Sequence, residues 1–199
     1  MKKLSGIIVI ALTAGMFLGC NGTGKGNNTD SISQPKDSAV QSSTATVPDT
    51  AKMAASVDTA DVKFAKEAAS GGMTEVQLGK IAFQKGVSQK VKDFGQMMVT
   101  DHSKANNEFM ALARKKNIVL PTAPNADDQK VIDDLSAKSG TDFDKAYVND
   151  MVKDHKKDIA AFKGAAKNCK DPDIKAFADN TLPVLQKHLD AITAIKGGM

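Results

Sequence analysis

The chain has 199 residues, 25% of them charged and 5% aromatic, with no tryptophan and one tyrosine. Its formal net charge of +4 falls to +2 once Lys2 and Lys3 are set aside, too little for a footprint on nucleic acid or on an anionic membrane surface. The scarcity of aromatics also removes base-stacking platforms.

The first residues read as a targeting segment. Lys2 and Lys3 precede a largely apolar run from Leu4 to Leu18, closed by Gly19-Cys20, and the run is shorter than a comfortable span of ~20 residues. This arrangement resembles the lipobox of bacterial lipoproteins, with Phe17 where that motif usually has leucine; the alternative is an ordinary cleaved signal or an N-terminal anchor helix. The expectation is a signal peptide over 1–19, a lipidated Cys20 and a membrane partner reached through that lipid. Asn21 is not the aspartate that resembles an inner-membrane retention signal, which favours the outer membrane, with the domain facing the periplasm of the cell envelope. Residues 20–57 are rich in Ser, Thr, Asn and Gly with almost no large apolar side chains, the composition of a flexible tether that cannot bury a core. With Cys20 lipidated, Cys169 is the sole remaining thiol, so residues 58–199 must fold by packing alone. No charge block names a protein partner.

Over 58–199, apolar residues recur at three and four, predicting an all-α domain. The first helix is expected from Thr59 to Lys85, with Phe64, Ala68, Leu78 and Ala82 inward and Glu75 on the same stripe; Gly71-Gly72 signals a kink or the close approach of a neighbour. A turn at Gly86-Val87-Ser88, with Ser88 a candidate N-cap, leads to a helix ending near Lys116 on the stripe Val91, Phe94, Met98, His102, Phe109. Pro121 and Pro124 force a loop, and Ala126–Lys138 reads as a short helix. A connection this long suits the crossover of ferritin-like bundles. Thr141 then opens a helix to about Lys167 on Phe143, Tyr147, Met151, His155, Ile159 and Phe162. Asp171-Pro172 starts the last, to about Lys196, with Leu185, His188 and Ile192 inward and Pro183 as a bend.

The pattern Met-Val-x-Asp-His occurs twice, at Met98–His102 and Met151–His155, and uses two of the three histidines. Glu75, His102, His155 and His188 each stand about fourteen to sixteen residues into their helices, so at ~1.5 Å per residue they share one layer at mid-bundle whichever way the helices run. Buried ionisable groups need compensation. Three imidazoles and a carboxylate form a sensible first shell for a single zinc, copper, iron or manganese ion; a Glu–His hydrogen-bond network would also satisfy the layer. Met98 and Met151, one turn before their histidines, are core filling or thioether ligands that would favour copper(I). Asp101, Asp150 and Asp154 are candidates for acceptors that orient the imidazoles or for further ligands, although the aspartate before each histidine points about 100° away. No nucleophile–base pair or phosphate-binding loop defines a reaction, so an enzyme is not indicated.

Ala69-Ser70-Gly71-Gly72-Met73-Thr74-Glu75-Val76, the two Met-Val-x-Asp-His segments, Phe143-Asp144-x-x-Tyr147 and Thr181-Leu182-Pro183-x-Leu185-x-x-His188-Leu189 together resemble a bacterial family of unknown function. Its members are labelled outer-membrane or periplasmic proteins and grouped with the ferritin-like bundles. The resemblance implies a four-helix bundle, here with a short extra helix in the second connection, and an inward metal layer carried by Glu75, His102, His155 and His188. The chain lacks the Glu-x-x-His pairs of di-iron ferritins, so a di-iron oxidase or storage cage is not expected. Metal handling or oxidative-stress protection follows as the first expectation, with a metal-dependent enzyme or a structural bundle whose polar layer sets helix register as alternatives.

Overall fold

The computed structural model describes residues 57–199. The expected signal peptide, Cys20 and the tether up to residue 56 lie outside the described residues. Five helices and no strand occur among the described residues: α1 (Thr59–Lys85), α2 (Gln89–Lys115), α3 (Ala126–Ser136), α4 (Gly140–Asn168) and α5 (Pro172–Gly197).

Local chemistry explains most of the ends. Asp58, Asn125 and Asp171 cap α1, α3 and α5 by accepting from backbone N–H groups one turn in, and Pro172 occupies the first turn of α5. Asn117, at φ 55°, ends α2, with Ile118 N–H donating to the Ala113 oxygen at 2.9 Å, the left-handed stop that asparagine tolerates. The expected cap at Ser88 is in place by position, without a side-chain bond; just before the helix the Asp144 carboxylate from α4 holds the turn, accepting from Val87 N–H at 3.0 Å and Ser88 N–H at 2.8 Å. The other expected cap differs. At α4, Ser139 rather than Thr141 takes the cap position, and Gly140 turns the chain into the helix at φ +59°, a conformation suited to glycine. The short helix ends at Ser136, two residues before its predicted limit, and α1 runs unbroken through Gly71-Gly72.

Asp61 in α1 mirrors Asp144. Its carboxylate accepts from the backbone N–H groups of Lys170 and Asp171, at 2.9 and 2.7 Å from Oδ2. Each helical hairpin thus supplies a buried aspartate that fastens the turn of the other. These two fastenings fix the topology. The start of α1 lies at the α4–α5 turn and the start of α4 at the α1–α2 turn, so α1–α2, α4–α5, α1–α4 and α2–α5 are all antiparallel while α2 and α4 run the same way. The connection from Lys116 to Ser139, carrying α3, must therefore travel the length of the bundle.

Packing is uneven. Helix α1 lies along α2, and α4 along α5, far more extensively than α1 meets α4 or α2 meets α5. Glycines permit the first contact: a Cβ on Gly79 would sit 2.6 Å from the Gly95 oxygen, and one on Gly95 2.6 Å from the Gly79 oxygen. Toward one end, Leu78, Phe94, Met98, Tyr147, Met151 and Ile192 form an apolar cluster. Toward the other, Ala65, Phe109 and Ile174 form a second, and Ile159, Phe162 and Leu185 a third. Glu75, His102, His155 and His188 fall between these clusters on their respective helices. Among the described residues no helix is long and apolar enough to cross a membrane.

Candidate metal centre

The four residues expected to share a layer do converge. Glu75 is 2%, His102 7%, and His155 and His188 0% exposed, and one ring nitrogen from each histidine lies within 4.8 Å of one from each of the others. Helix periodicity places them there, because each replaces an apolar residue on a stripe that already faces inward.

The hydrogen bonds decide what each ring can do. His102 Nδ1 lies 2.7 Å from Glu75 Oε2, His155 Nδ1 is 3.0 Å from the Met151 backbone oxygen, and His188 Nε2 is 2.9 Å from Asp101 Oδ2. Burial depresses the basicity of all three rings: His102 and His188 are lowered to about 4, His188 against the opposing pull of Asp101, and His155 is lowered despite the nearby Glu75. Each ring is therefore neutral at pH 7 and has one N–H. The Met151 carbonyl can only accept, which fixes the His155 proton on Nδ1. The Asp101 carboxylate fixes that of His188 on Nε2 in the same way, while that of His102 sits on Nδ1 when Glu75 is ionised, as ligation by the layer would require. The opposite nitrogens, His102 Nε2, His155 Nε2 and His188 Nδ1, have no hydrogen-bond partner in the protein. With Glu75 ionised, all three carry a buried lone pair, each on a ring held from behind.

Glu75 completes the layer. Its Oε1 stands 3.4 Å from His155 Nε2 without hydrogen-bond alignment, and is itself unpartnered. Burial pushes its carboxyl up to about 8, against the lowering influence of His155. On the far side of Glu75 lie Asp154 and Asp158, whose carboxylate oxygens approach one of its own within 4.8 Å. Burial raises both, with added repulsion from Glu75 on Asp158. A small cavity of about 30 Å³, lined by Glu75, His102 and Asp158 and walled by Phe109, Phe162 and Leu185, has room for one water molecule.

The other candidates fall in different places. Met98 and Met151 belong to the apolar cluster beside the layer, Met151 also contributing its backbone oxygen. Asp101 orients not its neighbour His102 but His188, across the α2–α5 contact. Asp150 lies on the wall of an acidic cavity outside the layer, with burial raising its carboxyl to about 6. Sequence reasoning missed Asp158, although its spacing of four from Asp154 places both on one face of α4. It also missed the Tyr147 hydroxyl, fully buried and without a partner.

The profile of a domain of unknown function, DUF4142, matches residues 45–195. The chain belongs to the DUF4142 family. No curated protein matches this DUF4142 chain in sequence. Among solved structures, a DUF305 fragment from Deinococcus radiodurans is similar with a TM-score of 0.63 at 10% identity, covering 72% of this chain and 99% of the fragment. At that identity the likeness shows the helical fold alone. The bacterial, unknown-function family expected from the motifs is thus the family found, and the helical bundle of this DUF4142 domain recurs in the DUF305 fragment.

Proposed function

We propose that this DUF4142 protein is a lipid-anchored, periplasm-facing bundle of the ferritin-like type that binds one transition-metal ion through His102, His155, His188 and Glu75. Its role would be metal handling or protection against oxidative stress. The observation that carries the reading is the set of three buried imidazole lone pairs, each on a ring whose other nitrogen is held by a carboxylate or a carbonyl, converging beside an unpartnered carboxylate oxygen. Leaving one buried acceptor unsatisfied costs about 1–3 kcal/mol, and a divalent cation would satisfy the three imidazole nitrogens together, with an ionised Glu75 beside them. Acceptors that orient the ligating rings from behind are the common companion of histidine metal sites. The crossover between α2 and α4 supports the ferritin-like grouping, and Gly19-Cys20 supports the lipid anchor.

The bound ion would supply Lewis acidity, or a redox couple if it is iron, copper or manganese. The rings and Glu75 would fix its position, and the apolar walls would keep bulk water away. The small cavity against Glu75, His102 and Asp158 favours a second reading, a metal-dependent enzyme with an open coordination position.

Elemental analysis of the full chain, purified without chelator or affinity histidines, tests the site. About one equivalent of a transition metal, lost in a His102→Ala/His155→Ala variant that stays helical, is expected for a three-imidazole shell. A native chain that takes up no zinc, copper, iron or manganese and shows no thermal shift with any of them would leave the layer as a register-setting core.

A further inference from the structure

Asp150, Asp154 and Asp158 follow one another at intervals of four on α4, so their carboxyl groups form a stripe with steps of about 6 Å along one helix face. The outer end of the stripe opens into a cavity of about 150 Å³ whose walls carry Asp127, Asp128, Asp150 and Asp154 beside Lys153 and Lys157. The inner end reaches Glu75, where three carboxylate oxygens, from Glu75, Asp154 and Asp158, lie within 4.8 Å of one another. Lys153 and Lys157 are exposed and leave the acidic inner end without a buried cation beside it.

Close acidic groups alone would not make a site, but Glu75 adds an independent feature. It is 2% exposed, and its Oε1 has no hydrogen-bond partner. Its other oxygen is committed to His102, so the free oxygen is a ligand atom held in place without a ligand. The small cavity that Glu75 shares with Asp158 provides room for an ion's water. Three clustered carboxylate oxygens and an unpartnered buried one thus stand at the inner end of a stripe whose outer end opens into an acidic cavity.

We propose that Glu75, Asp154 and Asp158 bind a second cation, a hard divalent ion of the manganese, calcium or magnesium class, delivered through the Asp127–Asp128–Asp150 cavity. The donors at this end are oxygens, which suit hard ions and discriminate against the imidazole-seeking metals. Asp127 and Asp128 raise the local concentration of cations at the mouth. The two sites would share Glu75 as a bridging carboxylate, a clause that rests on the histidine site proposed above; the acidic site itself does not.

The test loads the full chain with one equivalent of zinc and titrates it with Mn²⁺, following loss of the free-ion electron paramagnetic resonance signal. The zinc-loaded native chain is expected to take up about one Mn²⁺, and an Asp154→Asn/Asp158→Asn variant is expected to take up none while retaining zinc. Both substitutions are isosteric and remove buried charge, and circular dichroism confirms that the variant stays helical. Equal Mn²⁺ uptake by native and variant chains, or none by either, overturns the proposal. Should the native chain fail to bind zinc, Mn²⁺ uptake that depends on Asp154 and Asp158 and survives His102→Ala/His155→Ala would still establish the acidic site. That result would refute the histidine site alone.

Discussion

Replacing Glu75 with glutamine separates an unfilled ligand set from a satisfied polar core. In the folded, metal-free chain, burial holds the Glu75 carboxyl at about 8, against 4.5 for the unconstrained group. A raised folded value contributes stability that is complete below 4.5 and is lost as the pH climbs through 8, because only the unfolded chain can release the proton cheaply in that window. The difference of about 3.5 pH units corresponds to at most about 5 kcal/mol between pH 4.5 and pH 8, at ~1.4 kcal/mol per unit. Glutamine carries no such penalty. Its carbonyl can still accept from His102 Nδ1, and its amide can replace Oε1 beside the lone pair of His155 Nε2, 3.4 Å away. Metal-free Glu75→Gln should therefore match the native chain near pH 4.5 and exceed it progressively up to pH 8, by several kcal/mol at the upper limit. Urea unfolding of both chains in the presence of chelator, at half-unit pH steps, measures the difference directly. With metal present the order should reverse, since glutamine is a poorer ligand than carboxylate. A metal-free glutamine variant that is less stable than the native chain at pH 8 would refute the reasoning, and the layer would then be a well-paired network.

Four further outcomes are expected. Asp101→Ala frees the ring of His188, whose Nε2 the carboxylate holds at 2.9 Å; metal affinity in chelator competition should fall about 10–100-fold with little change in helicity. Asp144→Ala strands the N–H groups of Val87 and Ser88 and should cost about 1–3 kcal/mol in urea unfolding, whereas exposed Asp142→Ala, one turn boundary away, should cost far less. Gly95→Ala drives a methyl to 2.6 Å from the Gly79 oxygen and should lower stability by about 1–3 kcal/mol, a cost that Leu or Val substitutions nearby cannot relieve because the clash is with backbone. Metal uptake by the native chain should weaken as pH falls toward 5, because Glu75 must give up a proton held by burial; proton release measured on zinc addition at pH 7 checks the sign.

Periodicity made the scaffold readable, since a histidine or glutamate standing in an apolar stripe has to face whatever the stripe faces. That logic located Glu75, His102, His155 and His188 without any knowledge of partners. It could not say which acceptor each ring would use, because the repeated Asp-His pairs have different neighbours. Asp101 on α2 faces α5 and holds His188, whereas Asp154 on α4 faces the α1–α3 side and joins Glu75. The two copies of one motif thus do different work. Asp158 was hidden by its setting beside Lys156 and Lys157, where a charged residue reads as a solvated face. Asp61 and Asp144 were hidden for a related reason: an acid in the first turn, such as Asp61, already has a local explanation in the dipole, one just beyond it, such as Asp144, reads as a solvated face, and only the return of the opposite hairpin reveals that each is buried and binds a distant turn. The cap at Thr141 failed because a glycine turn at Gly140 moved the cap of α4 back to Ser139.

The uneven packing of the helices has a consequence for motion. Backbone contact at Gly79 and Gly95 makes α1–α2 a stiff unit, α4–α5 is a second, and the seams between them are thin. The cheapest large-scale excursion is therefore a parting of the two units, resisted by the apolar clusters that span them, by Asp61 and Asp144 at the ends and by the polar layer in the middle. That layer draws Glu75 and His102 from one unit and His155 and His188 from the other, so any ion seated there is a rivet through the weakest plane of the molecule. Amide hydrogens along the α1–α4 and α2–α5 seams would exchange by this opening in the empty protein and only by global unfolding in the riveted one.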